Sequence, residues 1–545
     1  MAIAAHRGAR PDPGRDPRDR RSRWLTAVAL AVSMGVGTVA PALAADPTAA
    51  PEIVHARMAS EPSPTPLPTP SAAPGAPANS ASPAPLGAGT AGDADPTPSP
   101  TPSSPTPSPT PTPAPTPTPT ATPTPTATPA PTATPWPTPD WPTTVTTLGD
   151  SVRFWGQGYG HGVGMSQHGA RGRAEAGQDA ETILKAYFRG ATMGTVKPSR
   201  LVRALVLDGF RATADTPLVV YGRGGSWTVD GADRSFPAGA RLQAWRATSG
   251  TWRMLVSDTE GDQLFAGTFD GRRPYVSPTA PEAYLQLLSK ASMYDTYHGR
   301  LRIVPDGTRL RVVNHVGLDT YLRGVVPFEM PVSWAKQALR AQVIAARSYA
   351  VRSLNPDRGV FDVYDDTRSQ LYRGREAARA ASDGLIADEP GVVIRYRDDK
   401  VIKAFFFSTG GGSTENNEYV FVSSNGTPGT TKVAYLRGIV DRSPTTGVPY
   451  DADAPHYRWS TTSLSRETLG AMFAKDARTD VGDLTRLDLR RRGVSGRLYQ
   501  VVLHGSKGTK TVSADTFRSV YNARKPASAN VLRSNLFDTK PINGS

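Results

Sequence analysis

The chain has 545 residues, a formal net charge of +14 and no cysteine. The lack of cysteine excludes disulfides, thiol catalysis and every Cys-based zinc or iron–sulfur site. More than half of the 52 prolines lie between residues 61 and 143. About a hundred residues therefore contribute nothing to a core, and the roughly 400 that remain are enough for one large or two medium domains.

The first segment predicts export. Seven arginines precede an apolar run from Trp24 to Ala40, and the small residues Ala42 and Ala44 follow it. This order is typical of a cleaved secretory signal, so we predict a signal peptide over 1–44 and a secreted protein associated with the cell wall. The alternative is an uncleaved anchor, which would be the protein's contact with a membrane.

The next segment, 45–145, is rich in Pro, Thr and Ser. Proline at nearly every second position fixes φ and removes amide donors. Such a composition favours an extended, disordered linker that acts as a semi-rigid stalk.

The charge is unevenly distributed along the chain. Residues 1–45 carry a net +4 and residues 46–143 a net −5, so the chain from 144 onward carries +15. Outside the cytoplasm, a basic surface favours anionic wall polymers or lipid head groups as partners. No motif indicates nucleic-acid binding. The alternative is a charge that serves solubility alone.

A glycine-rich segment opens the predicted globular part and lies in the first of its three divisions, 146–200. Every second residue from Gly156 to Gly164 is glycine, and a helical pattern follows through Tyr187. In a strand-like segment this spacing clears one face, so that another backbone or a sugar ring can approach closely. The spacing does not fit a dinucleotide-binding loop. The alternative is a glycine-rich structural turn.

The second division, 201–314, alternates apolar and polar residues over short runs. Turn signals such as Asp230-Gly231 and Asp306-Gly307 separate these runs. The pattern predicts a β-rich module that supplies packing or binding surface to its neighbour.

The third division, 315–545, contains an isolated carboxyl. Glu329 is the one charged residue between Val325 and Pro331. Apolar surroundings disfavour the ionised form, so we expect a raised pKa, the condition for a general acid near neutral pH. The alternative is a solvent-exposed glutamate that precedes a helix.

An alanine-rich run predicts a helix from Ser333, the candidate N-cap, to Leu354. At about 100° per residue, Lys336, Arg340 and Arg347 share one face of this helix. Small residues and Tyr349 fill a different face, which is suited to close packing. The basic face is either a solvated surface or one wall of a cleft beside Glu329.

The sequence gives little support for a serine nucleophile or for a metal site. Ser408 precedes a glycine loop but is not in a GxSxG motif and has no paired histidine motif, which argues against a serine hydrolase. The eight histidines show no HExxH or HxH spacing. We therefore predict no metal and no cofactor.

Several segments together resemble the stage II sporulation protein D family, also called SpoIID/LytB or amidase enhancer. The matching segments are Gly158–Gln167 with Gly169 and Ala170, Tyr321–Pro331, Ala338–Tyr349, Asp366 and Thr367 with Gln370 and Tyr372, and Gly411–Glu415. The resemblance extends over most of 150–537. One departure is that the glycine loop, often near the C-terminal end in the family, here precedes the rest.

The alternation of short strand patterns with one strong helix predicts a mixed α/β (α+β) fold, in which the alanine-rich helix lies centrally against a mixed sheet with the β-rich module attached. The resemblance implies action on peptidoglycan glycan strands, with Glu329 as the essential acid. The substrate-binding residues that it suggests are Arg340, Arg347, His161, Gln167, Gln370, Tyr372, Ser408 and Thr414.

Two functions follow from this resemblance. The first is a secreted lytic transglycosylase, which cleaves peptide-stripped strands and leaves 1,6-anhydromuramoyl ends. That reaction needs one enzymic carboxylate, which agrees with the weakness of Asp365, Asp366 and Glu415 as a second one. The alternative is a noncatalytic wall-binding modifier that enhances an N-acetylmuramoyl-L-alanine amidase, its partner.

Overall fold

A computed structural model describes residues 141–355, 359–397 and 399–542. The predicted signal peptide and nearly all of the predicted linker lie outside these residues. No helix within the described ranges has the length and apolar character needed to cross a membrane.

Helices and strands alternate along the described chain. The helices are α1 Gln167–Glu175, α2 Ala180–Tyr187, α3 Leu318–Arg323, α4 Val326–Glu329, α5 Lys336–Ser353, α6 Ala380–Asp388, α7 Arg466–Phe473 and α8 Ala514–Arg524. The strands outside the β-rich segment are β1 Thr146–Thr147, β2 Ser151–Val152, β3 Trp155–Gln157, β4 Met165–Ser166, β5 Thr192–Thr195, β17 Val363–Tyr364, β18 Val392–Tyr396, β19 Lys400–Val401, β20 Phe406–Phe407, β21 Arg458–Ser460, β22 Leu464–Ser465, β23 Leu484–Asp488, β24 Gln500–Gly505, β25 Gly508–Ser513 and β26 Phe537–Asp538. This composition confirms the predicted mixed α/β class.

The β-rich segment, together with β17, forms two six-stranded sheets. Its strands are β6 Leu201–Phe210, β7 Leu218–Arg223, β8 Trp227–Val229, β9 Arg241–Arg246, β10 Trp252–Ser257, β11 Gln263–Thr268, β12 Tyr275–Pro278, β13 Tyr284–Leu287, β14 Thr296–Tyr297, β15 Arg300–Asp306 and β16 Arg309–Gly317. One sheet has the order β11-β10-β9-β7-β13-β14, and the other has the order β17-β6-β16-β15-β12-β8. Alternating burial along β7 and β9 turns apolar side chains inward, and both sheets contribute to one core.

Smaller sheets complete the fold. Strands β1-β23-β24-β25 form a four-stranded sheet that packs with α7 and α8 around a C-terminal core. Strands β19-β18-β5 form a three-stranded sheet beside α5. The boundaries predicted at 146, 201 and 315 stay predictions.

Helix α5 joins two cores. Leu339, Val343 and Ala346 pack in the core of the β-rich segment, whereas Ala341 and Ile344 pack in the core that contains α2 and β18. The predicted packing of this helix against strands from both sides is confirmed. A helix enclosed in this way is a rigid support for the groups along its length.

The start of α5 differs from the prediction. The helix begins at Lys336, and Ala335, not Ser333, occupies the cap position without a side-chain hydrogen bond. Ser333 lies in a turn that the Trp334 N–H closes by donating to the Pro331 carbonyl at 3.1 Å. The turn after Pro331 therefore moves the start of the helix from Ser333 to Lys336.

From Gly158 to Gly164 the glycine-rich segment is a loop, whereas Gly156 lies in β3. Gly158, Gly160, Gly162 and Gly164 have positive φ values of 73°, 106°, 89° and 78°. A Cβ on Gly164 would collide with the carbonyl of Phe405, and one on Gly158 with the carbonyl of Thr409. The strand-like reading was wrong, but the close approach of another backbone is what these glycines permit.

Candidate functional site

Glu329 lies at the end of the four-residue helix α4, where the chain leaves the core. Its neighbours Val325, Val326 and Met330 are buried, whereas Glu329 itself keeps partial contact with solvent. The apolar run on either side therefore anchors the backbone and leaves this carboxyl at the edge of the core.

The two carboxyl oxygens of Glu329 differ in their surroundings. The Leu371 N–H donates to Oε1 at 2.8 Å, whereas Oε2 has no hydrogen-bond partner within the part of the chain that the structure describes. Burial raises the pKa of Glu329 to about 7, against the opposing effects of the Leu371 hydrogen bond and of Arg373. The predicted rise in pKa is confirmed, and desolvation is its cause.

Gln167, the first residue of α1, holds the backbone of Glu329. Gln167 Nε2 donates to the Glu329 carbonyl at 2.9 Å and to Gln342 Oε1 at 3.3 Å. Helix α1 begins directly after the glycine loop, with Ser166 Oγ accepting from the Gly169 N–H at 3.1 Å. The loop therefore reaches Glu329 through Gln167, which is one of the predicted site residues.

Helix α5 presents Tyr349 to the same carboxyl. Burial raises the pKa of Tyr349 to about 12, and the negative charge of Glu329 adds to this effect. Ser369, two residues before the Leu371 N–H, opposes this rise in the pKa of Tyr349. Gln342 lies seven residues before Tyr349, on the same face of the helix. This face, which the sequence indicated for packing, is the one that adjoins Glu329.

The basic face of α5 points elsewhere. Arg340 and Tyr349 are nine residues apart, which places them on opposite sides of a helix. Arg340 pairs with Glu389, and Arg347, which is fully buried, pairs with Asp319 at 2.9 Å. The two arginines of the predicted wall of Lys336, Arg340 and Arg347 do not lie beside Glu329, because Arg347 turns toward α3 and Arg340 toward the residue after α6.

Gln370 and Tyr372 flank the Leu371 N–H and are buried. Gln370 accepts from the Tyr321 hydroxyl at 3.3 Å and donates to the Ala346 carbonyl at 3.3 Å. The Tyr372 hydroxyl donates to Asn314 Oδ1 at 2.7 Å. In this structure both side chains hold the segment that presents the amide to Glu329.

The three remaining predicted residues make their hydrogen bonds around the glycine loop. His161 Nδ1 accepts from the Val163 N–H at 3.1 Å, and its Nε2 lies 3.1 Å from the Phe406 carbonyl. Ser408 contacts Thr409 at 3.2 Å, and Thr414 accepts from the Ile439 N–H at 3.0 Å. His161 therefore links the loop to β20, whereas the contacts of Ser408 and Thr414 do not involve loop residues. Substrate binding by these residues stays a prediction.

The other candidate carboxyls have partners. Asp365 pairs with Lys290 at 2.5 Å, and Asp366 pairs with Arg368 at 2.6 Å. Glu415 is completely buried and accepts from the Ser495 hydroxyl and from backbone amides. In the described ranges, no group of three or more His, Asp or Glu side chains is placed to hold a metal ion.

The β-rich segment also reaches the site. The Tyr294 ring packs edge-on against Phe328, the neighbour of Glu329, with centroids 5.0 Å apart. Arg373 lies 5.5 Å from the same Tyr294 ring. The loop between β13 and β14 therefore borders the candidate site. The same loop contributes Lys290, which pairs with Asp365.

Sequence reasoning missed three neighbours of Glu329, namely Tyr349, Leu371 and Arg373. Tyr349 ends one of the segments that carry the family resemblance, so its position was a usable signal. The Leu371 contribution is a backbone amide, which no residue type reveals. Arg373 lies between two such segments and carried no signal of its own.

Comparison with known proteins gives a family match over this part of the chain. The family model described as SpoIID, Stage II sporulation protein, matches residues 306–396. That range contains Glu329, α5 and the segment with Leu371. The match confirms the resemblance that the sequence motifs indicated.

Three relatives extend this result. "Stage II sporulation protein D" of Bacillus subtilis (strain 168) is 28% identical over 190 residues, which are 32% of this chain and 51% of the relative. "Amidase enhancer" of the same organism is 35% identical over 103 residues, 19% of this chain and 14% of the relative. An uncharacterized protein of Brachyspira hyodysenteriae (strain ATCC 49526 / WA1) is 35% identical over 127 residues, 23% of this chain and 34% of the relative. The chain thus spans at most about half the length of these relatives.

Proposed function

We propose that this protein acts on the bacterial cell wall as a lytic transglycosylase of peptidoglycan, because residues 306–396 match the SpoIID family model. The substrate is a glycan strand free of stem peptides, and the acid is Glu329. The relatives named for sporulation and for amidase enhancement support a role at the wall.

One observation carries the catalytic proposal. The Glu329 carboxyl has a pKa raised by burial to about 7, and its Oε2 has no hydrogen-bond partner among the described residues. A general acid works best when its pKa lies near the working pH. It must also keep one oxygen available to the substrate, as this carboxyl does.

The proposed reaction conserves atoms without water. Glu329 donates its proton to the glycosidic oxygen that leaves the anomeric carbon of the muramoyl sugar. The C6 hydroxyl of that sugar attacks the same carbon, and its proton passes to the Glu329 carboxylate. One carbon–oxygen bond breaks as another forms, so the acid is regenerated and the product carries a 1,6-anhydro ring.

The residues around Glu329 hold it in position for this step. The Leu371 N–H fixes Oε1, and Gln167 fixes the backbone carbonyl. Because Leu371 donates to the ionised form more strongly, it also stabilises the carboxylate that the first proton transfer creates.

The test uses the purified chain and its Glu329→Gln variant on peptide-free glycan strands, with mass spectrometry of the products. We expect 1,6-anhydro ends from the wild type and a rate at least about a hundredfold lower in the variant. Glu175→Gln is the matched control, because Glu175 lies on the surface and pairs with Arg171. Full activity of Glu329→Gln would exclude Glu329 as the acid.

The amidase-enhancer relative supports a second candidate function, a noncatalytic module that stimulates a wall amidase. The same preparations distinguish the two proposals. If neither wild type nor Glu329→Gln forms 1,6-anhydro ends, but both stimulate an amidase equally, the protein is the enhancing module.

Export and wall association belong to the same proposal. The charge of +15 from residue 144 onward supports attraction to anionic wall polymers. N-terminal sequencing of the secreted protein tests cleavage after Ala44. Wall binding that does not weaken in added salt would exclude the electrostatic contribution.

A further inference from the structure

A cavity lies behind the segment that supports Glu329. It has a volume of about 440 Å³, and residues from β-rich and helical parts line it. Tyr372 forms part of its wall, whereas Leu371, one residue earlier, donates to Glu329. We call this cavity the 298–383 pocket, after His298 and Asp383 at the two ends of its lining sequence.

Two arginines of the 298–383 pocket have no carboxylate partner. Arg323 and Arg375 are both exposed, and neither forms an ion pair within 4 Å in the described chain. The Arg375 guanidinium lies 4.3 Å from the Tyr284 ring centroid, which fixes its position. An arginine held by an aromatic ring keeps its donors free for a ligand anion.

Two acids line the same pocket. Asp383 Oδ1 is buried and has no hydrogen-bond partner among the described residues. Glu376 Oε2 accepts only a long hydrogen bond, 3.4 Å, from the Thr296 N–H. A buried acceptor without a donor costs stability, so it indicates a missing partner that would supply one.

The charges of the 298–383 pocket do not cancel by direct contact. Burial raises the pKa of Asp383 against the opposing effect of Arg323, and the two side chains form no ion pair in the described residues. Burial lowers the pKa of His298, and Arg375 and Arg323 add to this effect. Two cations and two acids therefore line the pocket without an ion pair within 4 Å among them in the described residues.

We propose that the 298–383 pocket binds a small zwitterion, namely a free amino acid or a short peptide whose two termini are unblocked. Its carboxylate lies against Arg323 and Arg375, and its ammonium donates to Asp383 and Glu376. The cavity volume fits a dipeptide better than a single amino acid. This proposal does not depend on the chemistry at Glu329, because it concerns a different set of side chains.

Calorimetric titration of the full chain with alanyl-alanine tests the proposal. Two blocked peptides serve as matched ligands: N-acetyl-alanyl-alanine lacks the ammonium, and alanyl-alanine amide lacks the carboxylate. We expect saturable binding of the free dipeptide and at least about tenfold weaker binding of each blocked form, because each loses a charged hydrogen bond. Tighter binding of free alanine than of the dipeptide would support the same site with an amino acid as its ligand.

Two substitutions locate the ligand. Arg375→Gln and Asp383→Asn are each expected to weaken dipeptide binding at least about tenfold. Arg273→Gln is the control and should bind normally, because Arg273 lines a different cavity near β12. Absence of binding to the wild type, equal binding of the blocked peptides, or normal binding by both folded variants would overturn the proposal. The blocked peptides need no variant, so they decide the matter even if a substitution unfolds the chain.

Discussion

Two glutamates, Glu329 and Glu415, are both withdrawn from water, but their surroundings prepare them for different tasks. Burial raises the pKa of both carboxyls. Glu415 has no exposed surface and accepts four hydrogen bonds, two of them from Ser495. Glu329 accepts one and remains partly exposed.

The difference shows that burial alone does not identify a reactive acid. A carboxyl that accepts hydrogen bonds on both oxygens has no position left for a substrate proton acceptor, and it stabilises the loops that surround it. A carboxyl with one bonded and one open oxygen is oriented and still available. The number of satisfied oxygens separates a structural acid from a catalytic candidate in this chain.

The largest expected effect is on stability and follows from substitution of Glu415, the carboxyl whose two oxygens both accept hydrogen bonds. Glu415→Ala leaves the Val494 and Ser495 amides without their acceptor and removes a negative charge that acts on the buried Arg497. We expect the free energy of unfolding in urea to fall by about 3 kcal/mol or more. Glu175→Ala, which breaks a surface pair, should cost less than about 0.5 kcal/mol. Equal costs for the two variants would contradict the structural role of Glu415.

Arg347 extends the contrast to a buried cation. Besides Asp319, it donates to the Val392 carbonyl at 3.1 Å. Because Asp319 remains 19% exposed and partly hydrated, we expect Arg347→Met to lower the free energy of unfolding by about 2 kcal/mol. The KM for glycan strands should not change in the folded fraction. A raised KM with unchanged stability would instead support the predicted substrate-binding role.

The raised pKa of Glu329 leads us to expect a pH dependence of activity. The protonated form of Glu329 is lost above its pKa of about 7, so the rate should fall about tenfold for each pH unit beyond that point. The folded state binds this proton more tightly than the unfolded state, whose carboxyl has the ordinary pKa of 4.5. The contribution of this group to stability is therefore fully present below pH 4.5 and is lost as the pH rises to about 7.

The pH dependence of the rate is checked by rate measurements on the wild type between pH 4 and 9. The pH dependence of stability is checked by unfolding curves of the wild type and Glu329→Gln over the same range. The variant should lack the decline in stability between pH 4.5 and 7. A wild-type rate that stays constant to pH 9 would be incompatible with an acid of this pKa.

The smallest expected effect concerns the support of the acid. Gln167→Met removes the hydrogen bond to the Glu329 carbonyl but leaves the carboxyl unchanged. We expect kcat to fall about fivefold, the equivalent of about 1 kcal/mol. The pH at which the rate declines should not move. A shift of that pH would mean that Gln167 acts on the proton affinity of Glu329 and not on its position.

Part of this site could be predicted from the sequence. The isolation of Glu329 among apolar residues indicated a desolvated carboxyl, and the structure confirms the raised pKa. Alanine-rich composition predicted α5 to within three residues at its start. Both inferences depend on local sequence, where composition and spacing are direct signals.

The remaining parts depend on contacts between distant segments. Periodicity shows that Arg340 and Arg347 share a face, but it does not show whether α3 or Glu329 covers that face. The Leu371 amide reaches Glu329 from 42 positions along the chain. Glycine tolerates both signs of φ, so alternating glycines from Gly158 to Gly164 fit a strand and a loop equally well.

If Glu329 is the acid, its carboxyl holds a transferable proton near neutral pH. Carbon-13 NMR of chain labelled at glutamate carboxyls, recorded from pH 3 to 9 and compared with Glu329→Gln, measures this pKa directly. We expect the resonance missing from the variant to titrate near pH 7. Titration near pH 4.5, the ordinary value for glutamate, would contradict it.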